Sequence, residues 1–226
     1  MLRLAVLISS HGSNMQALIE YTLQADVPAE IVGVIADNSA KGLSHAAAAG
    51  IPALAIKKSE YESKAAFEDV LAQHIDQLDV DIICLAGFMS VLSSEFCKRY
   101  YGKIINIHPS LLPAYKGLDT HQRAISDKAK WHGCSVHIVT PKIDDGPLLA
   151  QKAVAVSAND TAATLATKVL SEEHIIYPMV IGALATGLLR LDLSGAQIMP
   201  INTSGVLPGV INGDDHMLWP IQNTKS

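Results

Sequence analysis

Asn106 and His108 stand two residues apart in the apolar run K-I-I-N-I-H-P-S-L-L-P, residues 103–113. On a strand, residues two apart point to the same side, so an amide and an imidazole share one face. An amide N–H can hold a carbonyl oxygen that becomes an oxyanion, and an imidazole can move a proton near neutral pH. Pro109 lacks an N–H and ends the ladder. The pair therefore falls at the strand's carboxyl end, where open α/β sheets hold ligands. Taken alone, the run suits a buried strand end equally well, with Asn106 and His108 satisfying neighbouring backbone.

Two further stretches carry chemistry. In S-S-H-G-S-N, residues 9–14, Gly12 lets a phosphate approach the backbone. The N–H groups of Ser13 and Asn14 open a helix, and helix N-termini suit anions. The run matches neither the dinucleotide fingerprint nor the P-loop, and its plain alternative is an N-cap turn. In I-D-D-G-P, residues 143–147, Asp144 and Asp145 share a tight turn. A carboxylate near His108 favours the imidazolium and raises its pKa. A solvated β-turn is the commoner fate of such a sequence.

The remaining candidates are weaker. His132 and His137 have no third ligand at suitable spacing, whereas a catalytic zinc usually has three. No metal is expected. His11 and His45 read as loop or surface residues, and His121, after Asp119 and Thr120, as a residue able to line a cleft. Glu172, Glu173 and His174 fall mid-helix, where one of them can reach a cleft. Ser110 lacks the G-x-S-x-G context of a serine nucleophile. Cys84 sits among apolar strand residues, unlike a thiolate nucleophile.

Strands and helices must bring these residues together. Apolar runs predict strands at residues 4–8, 31–35, 52–56, 81–85 and 103–108. Helical periodicity predicts helices from residue 14, over 43–49, 63–77 and 93–101. Such alternation implies a mainly parallel, Rossmann-like sheet with helices on both faces. After residue 113 the rhythm changes. A short helix near 122–126 precedes two β-rich runs, 134–140 and 148–156, which predict an antiparallel C-terminal extension. A long helix over 161–186 follows, with Asp160 as its N-cap and a kink at Pro178. Residues 188–199 suggest two short edge strands. A single domain is expected over 1–201, with a loosely ordered tail at 202–226.

Composition fits this scaffold. The 226 residues are 49% hydrophobic but only 5% aromatic, a mix that suits buried parallel strands. The net charge is −5 with 17 Lys and Arg, which weighs against nucleic acid or an anionic membrane as partner. Cys84, Cys97 and Cys134 form no C-x-x-C pair, so a reducing cytoplasm is expected. The N-terminal apolar stretch is short for a signal peptide or membrane span.

The three sites together resemble the folate-dependent formyltransferases over roughly residues 2–190. The resemblance rests on N-I-H-P-S-L-L-P, the later D-x-G-P turn and the early G-S-N loop. L-A-G-F-M at residues 85–89, H-G-C-S-V-H at 132–137 and E-H-x-I-Y-P at 173–178 reinforce it. The last of these and the G-S-N loop point to the branch that formylates glycinamide ribonucleotide in purine biosynthesis. The resemblance implies transfer of a formyl group from 10-formyltetrahydrofolate to the ribonucleotide's amine. It implies catalytic roles for Asn106, His108 and Asp144, with Asp144 orienting a water and keeping His108 partly protonated. Gly12, Ser13, Asn14, Leu170, Ser171, Glu172 and Glu173 would bind the ribonucleotide. Lys64, Met89, Ser90, Val91, Leu92, Asn106, Thr140, Pro141, Lys142, Ile143 and Asp144 would bind the folate. A monomer or homodimer acting on small molecules is implied.

Four positions depart from the family's pattern. Its Arg after F-M is Ser90 here, and its Arg near residue 64 is Lys64, which loses the bidentate fork. Asp119 replaces a His in G-L-H-T-H. Asp145 replaces a small residue, and two adjacent carboxylates are expected to repel and alter the His108 pKa. Two relatives share the trio: a formyltetrahydrofolate hydrolase, with water as acceptor, and methionyl-tRNA formyltransferase. The former adds an N-terminal regulatory domain and the latter a basic C-terminal one, so both fit an acidic chain opening on strand one less well. A non-enzymatic folate or nucleotide sensor predicts loss of one of the three central residues, and all three are present.

Overall fold

Strands that are apolar on both faces need cover on both faces. The computed structural model describes residues 1–191 and 217–218 and meets that need with one eight-stranded sheet. Strands β1 (Leu2–Ile8), β2 (Ala29–Ala36), β3 (Ala53–Ala55), β4 (Ile82–Leu85) and β5 (Ile104–His108) pair in parallel, in the order β3-β2-β1-β4-β5. Strands β6 (Trp131–Ile138) and β7 (Leu148–Ala155) extend the sheet antiparallel beyond β5, as a hairpin. The backbone of β8 (Met217–Leu218) adds an antiparallel edge to β7. Apart from those two residues, the predicted tail lies outside the described residues, and so do residues 192–199 of the two expected edge strands.

The helices are α1 (Ser13–Thr22), α2 (Leu43–Ala48), α3 (Lys64–Gln77), α4 (Ser94–Arg99), α5 (Thr120–Ser126) and α6 (Ala162–Ala185). The period-two alternation of β1 feeds two cores. Leu4, Val6 and Ile8 pack with Met15 and Leu18 of α1 and with Val180 and Ile181 of α6. Leu7 packs on the opposite face with Phe67 and Leu71 of α3 and Phe96 of α4. Among the described residues no helix is long and apolar enough to cross a membrane.

Helix starts follow hydroxyl caps. Ser63 accepts from the Ala66 N–H at 3.1 Å, and Ser93 accepts from the Phe96 N–H at 3.1 Å. For α6 the expected cap is displaced by one residue. Thr161, not Asp160, is the N-cap, because Thr161 and Thr164 satisfy each other's backbone N–H in a reciprocal box. Asp160 instead accepts from the Ser157 N–H and pairs with Lys168. Helix α6 continues past Pro178 to Ala185. Tyr177 lies fully buried on it, its hydroxyl 3.1 Å from the Leu85 carbonyl and 3.3 Å from that of Ile105. That contact ties the helix to Leu85 at the end of β4 and to Ile105 of β5, the residue before Asn106.

Candidate active site

The carboxyl end of β5 opens into a cleft of about 570 Å³. Asn106 and His108 line it together, as their spacing requires, and Asp144 reaches it from the loop between β6 and β7. The turn that carries Asp144 depends on Gly146. A Cβ there would stand 1.7 Å from the Ile138 carbonyl oxygen, so only glycine lets the loop fold back onto β6.

Backbone contacts fix the imidazole of His108. Its Nε2 lies 3.0 Å from the Tyr115 carbonyl oxygen. A carbonyl can only accept, so Nε2 carries the proton and Nδ1 is left with its lone pair. Nδ1 faces Asp144 Oδ2 at 3.4 Å. That carboxylate oxygen accepts the Gly117 N–H at 2.8 Å. Burial lowers the His108 pKa below the ordinary histidine value. The Tyr115 carbonyl and Asp144 push it back up without overcoming burial. The carboxylate raises the pKa as expected, but the net shift is downward, because desolvation of the cation outweighs it. Burial also works against the charge on Asp144, but His137, the Gly117 N–H and His108 together hold its pKa below the usual range.

Asp145 does not act as a second carboxylate at the site. It pairs with Lys116 and lies 3.7 Å from Lys142, and these lysines lower its pKa. The expected repulsion with Asp144 is relieved by these cations, because the two side chains have separate partners.

His137 joins the trio, although the sequence singles it out only as a metal ligand lacking a third partner and as the end of the H-G-C-S-V-H run. The antiparallel register sets it opposite Asn106. Its Nδ1 donates to the Ile138 carbonyl at 3.0 Å, which leaves Nε2 to accept from Asn106 Nδ2 at 3.2 Å. The same Nε2 lies 3.6 Å from Asp144 Oδ1. The Asn106 amide keeps a second N–H for a ligand. His121 lines the cleft, and its Nδ1 lies 3.2 Å from Nε2 of buried His132. Burial, with His121 and His108 nearby, pushes the His132 pKa down to about 4. Cys84 is wholly buried, and burial pushes its thiol up to about 12.

The folate-side residues expected from sequence converge, with one exception. Met89, Ser90, Val91, Leu92, Thr140, Pro141, Lys142 and Ile143 all line the cleft. Lys64 does not. It faces Glu68 at 3.8 Å, and Glu68 accepts the Ser93 N–H at 2.8 Å. Asp119 lines the cleft in a left-handed conformation, φ 56.

The ribonucleotide-side residues gather elsewhere. Gly12 caps α1 with φ 74, a conformation glycine adopts without strain. Asn14 Nδ2 donates to Glu173 Oε2 at 2.6 Å, joining the start of α1 to the middle of α6. Both side chains are buried, and burial raises the Glu173 pKa against the effect of that bond. The Asn14 Oδ1 is buried with no hydrogen-bond partner among the described residues. Of the neighbours on α6, Glu172 faces buried Lys152 at 3.8 Å, and Ser171 donates back to the Thr167 carbonyl. None of the α1 or α6 group lines the 570 Å³ cleft.

A parallel sheet extended by an antiparallel hairpin, with Asn, His and Asp at the β5 end, defines a class. Residues 2–181 match the Formyl transferase family, and the chain belongs to it. A phosphoribosylglycinamide formyltransferase of Escherichia coli is 39% identical over 87% of this chain and 93% of its own length. The trifunctional purine biosynthetic protein adenosine-3 of Bos taurus is 42% identical over 85% of this chain. The match spans only 19% of that longer protein. A crystal structure of phosphoribosylglycinamide formyltransferase from Brucella melitensis superimposes with a TM-score of 0.79. It is 49% identical and covers 82% of this chain and 96% of its own.

Proposed function

We propose that this chain transfers the formyl group of 10-formyltetrahydrofolate to the amine of glycinamide ribonucleotide, a step of purine biosynthesis. The observation that carries the reading is the convergence of Asn106, His108 and Asp144 in one cleft of a formyltransferase fold. In this reading the ribonucleotide phosphate meets the N–H groups at Gly12, Ser13 and Asn14, and Glu173 holds its glycinamide or ribose end. Leu170, Ser171 and Glu172 complete that wall. The orphaned Asn14 Oδ1 supports a ligand donor arriving there. The pterin lies against Met89, Ser90, Val91, Leu92 and the loop from Thr140 to Asp144, where apolar walls suit a flat ring.

The reaction needs one oxyanion donor and one proton carrier. The amine's lone pair attacks the formyl carbon, and the carbonyl oxygen becomes an oxyanion. The free N–H of Asn106 donates to that oxygen. The attacking nitrogen gives its extra proton to His108 Nδ1, which is unprotonated at neutral pH because burial keeps the ring neutral. As the intermediate collapses, the carbon–N10 bond of the folate breaks and N10 takes up the proton. Asp144 orients a water beside Nδ1 and stabilises the transient imidazolium. A single catalytic domain over 1–201 and a cytoplasmic setting fit this reading; the one sheet positions both substrate regions, and all three cysteines are free.

The test mixes the protein with 10-formyltetrahydrofolate, with and without glycinamide ribonucleotide. Tetrahydrofolate release that requires the ribonucleotide is expected. Release at the same rate without it would make the protein a hydrolase and overturn the proposal.

A further inference from the structure

Asp37 is a nearly buried carboxylate at the end of β2, outside both proposed substrate regions. Both of its oxygens are engaged. Oδ2 accepts from Ser90 Oγ at 2.7 Å, and Oδ1 accepts from Asn38 Nδ2 at 2.9 Å. The same Asn38 amide donates to the Ser9 carbonyl at 2.9 Å. Ser9 in turn reaches the other loop, since its Oγ accepts the Met89 N–H at 2.7 Å and its N–H donates to the Gly87 carbonyl at 3.1 Å. A closed ring of hydrogen bonds thus joins the loops after β1, β2 and β4. The first leads to Gly12, and the third carries Met89 and Ser90.

A charged acceptor with neutral donors makes stronger bonds than a neutral pair. In a buried setting, breaking one also leaves the acceptor short of a partner. The ring holds the two loops at one spacing, and Asp37 touches neither reacting centre. Ser90 stands where the family's arginine is expected, so a hydroxyl aimed at Asp37 replaces a cation there.

We propose that Asp37 is a positioning residue that, through Ser90 and Asn38, latches the folate-side loop to the ribonucleotide-side loop. The proposal rests on the functional reading above. It is tested with Asp37→Ala, Ser90→Ala, Ser90→Thr and the Asp37→Ala/Ser90→Ala double variant of the full chain. Steady-state kinetics in both substrates are combined with amide hydrogen exchange at Met89.

Loss of one charge-assisted bond predicts a rise of about tenfold in KM for the formyl donor in Asp37→Ala, with a much smaller change in kcat. Ser90→Ala reproduces most of that rise, and Ser90→Thr, which keeps the hydroxyl for Asp37, restores the slow Met89 exchange. The double variant is no worse than Asp37→Ala, because both changes cut the same link. Met89 exchange quickens in both single alanine variants. An unchanged donor KM in Asp37→Ala, or effects of the two changes that multiply, overturns the latch. If Asp37→Ala does not fold, the Ser90→Ala and Ser90→Thr pair decides, and no rescue by threonine overturns it. A wild type without ribonucleotide-dependent turnover overturns the functional reading instead. Met89 exchange then decides the latch alone, and unaltered protection in Ser90→Ala overturns it.

Discussion

His108 lies under opposing influences whose balance is set by burial. Desolvation lowers its pKa, and the Tyr115 carbonyl and Asp144 raise it by less. The free base is the form that accepts a proton, so kcat/KM should fall with acid only below the ordinary histidine value of 6.5. Asp144→Asn removes an upward influence and should shift that limb to still lower pH while reducing kcat. A pH–rate profile with an unmoved limb would count against the coupling. Asn106→Ala should cost ~10²–10³ in kcat, the typical loss for one oxyanion donor, read by single-turnover kinetics. His132 offers a stability test. Its pKa is 6.5 when free and about 4 when folded, so the unfolded chain binds more protons between those values. Stability is therefore expected to decline as pH falls from 6.5 towards 4. His132→Phe should flatten that decline in urea melts at successive pH values, despite a loss of ~1 kcal/mol at pH 7 from the broken His121 contact. At this scale the spacing of Asn106 and His108 was legible, because strand alternation is local. The partner His137 was not, because antiparallel register is a long-range choice.

Elements set the geometry through a few contacts. Gly146→Ala forces the Asp144 turn away from β6, since the new Cβ would overlap the Ile138 carbonyl. Turnover should fall with Asp144 displaced, and stability should drop by ~1–3 kcal/mol, the usual cost of overpacking, read by kcat and melting together. Most element boundaries in the parallel half follow directly from apolar runs and serine caps. The α6 cap was displaced because Asp160 and Thr161 both suit an N-cap, and the reciprocal bond with Thr164 decided between them. Lys64, read as a folate-side cation, lies outside the cleft lining with its ammonium 3.8 Å from Glu68, a local pairing at i,i+4.

One sheet separates two cores, and each strand of its centre contributes to both. Phe67→Ala on one face should cost ~3–5 kcal/mol and Ile181→Ala on the other ~2–5 kcal/mol. Because the sheet is shared, each variant should still unfold in a single transition, with circular dichroism and fluorescence coincident. Two separated transitions would show that the faces fold independently. The order of strands was only partly legible. Strand–helix alternation implies parallel crossovers, but not that β1 lies between β2 and β4. Local pattern determined the residue types, their alternation along strands and the helix starts, since these depend on neighbours a few positions away. Tertiary structure alone decided the net direction of the His108 pKa, the pairing of Asn14 with Glu173 and the ring through Asp37. Each depends on burial or on contacts between segments far apart in the chain, and neither desolvation nor register is encoded in any short stretch.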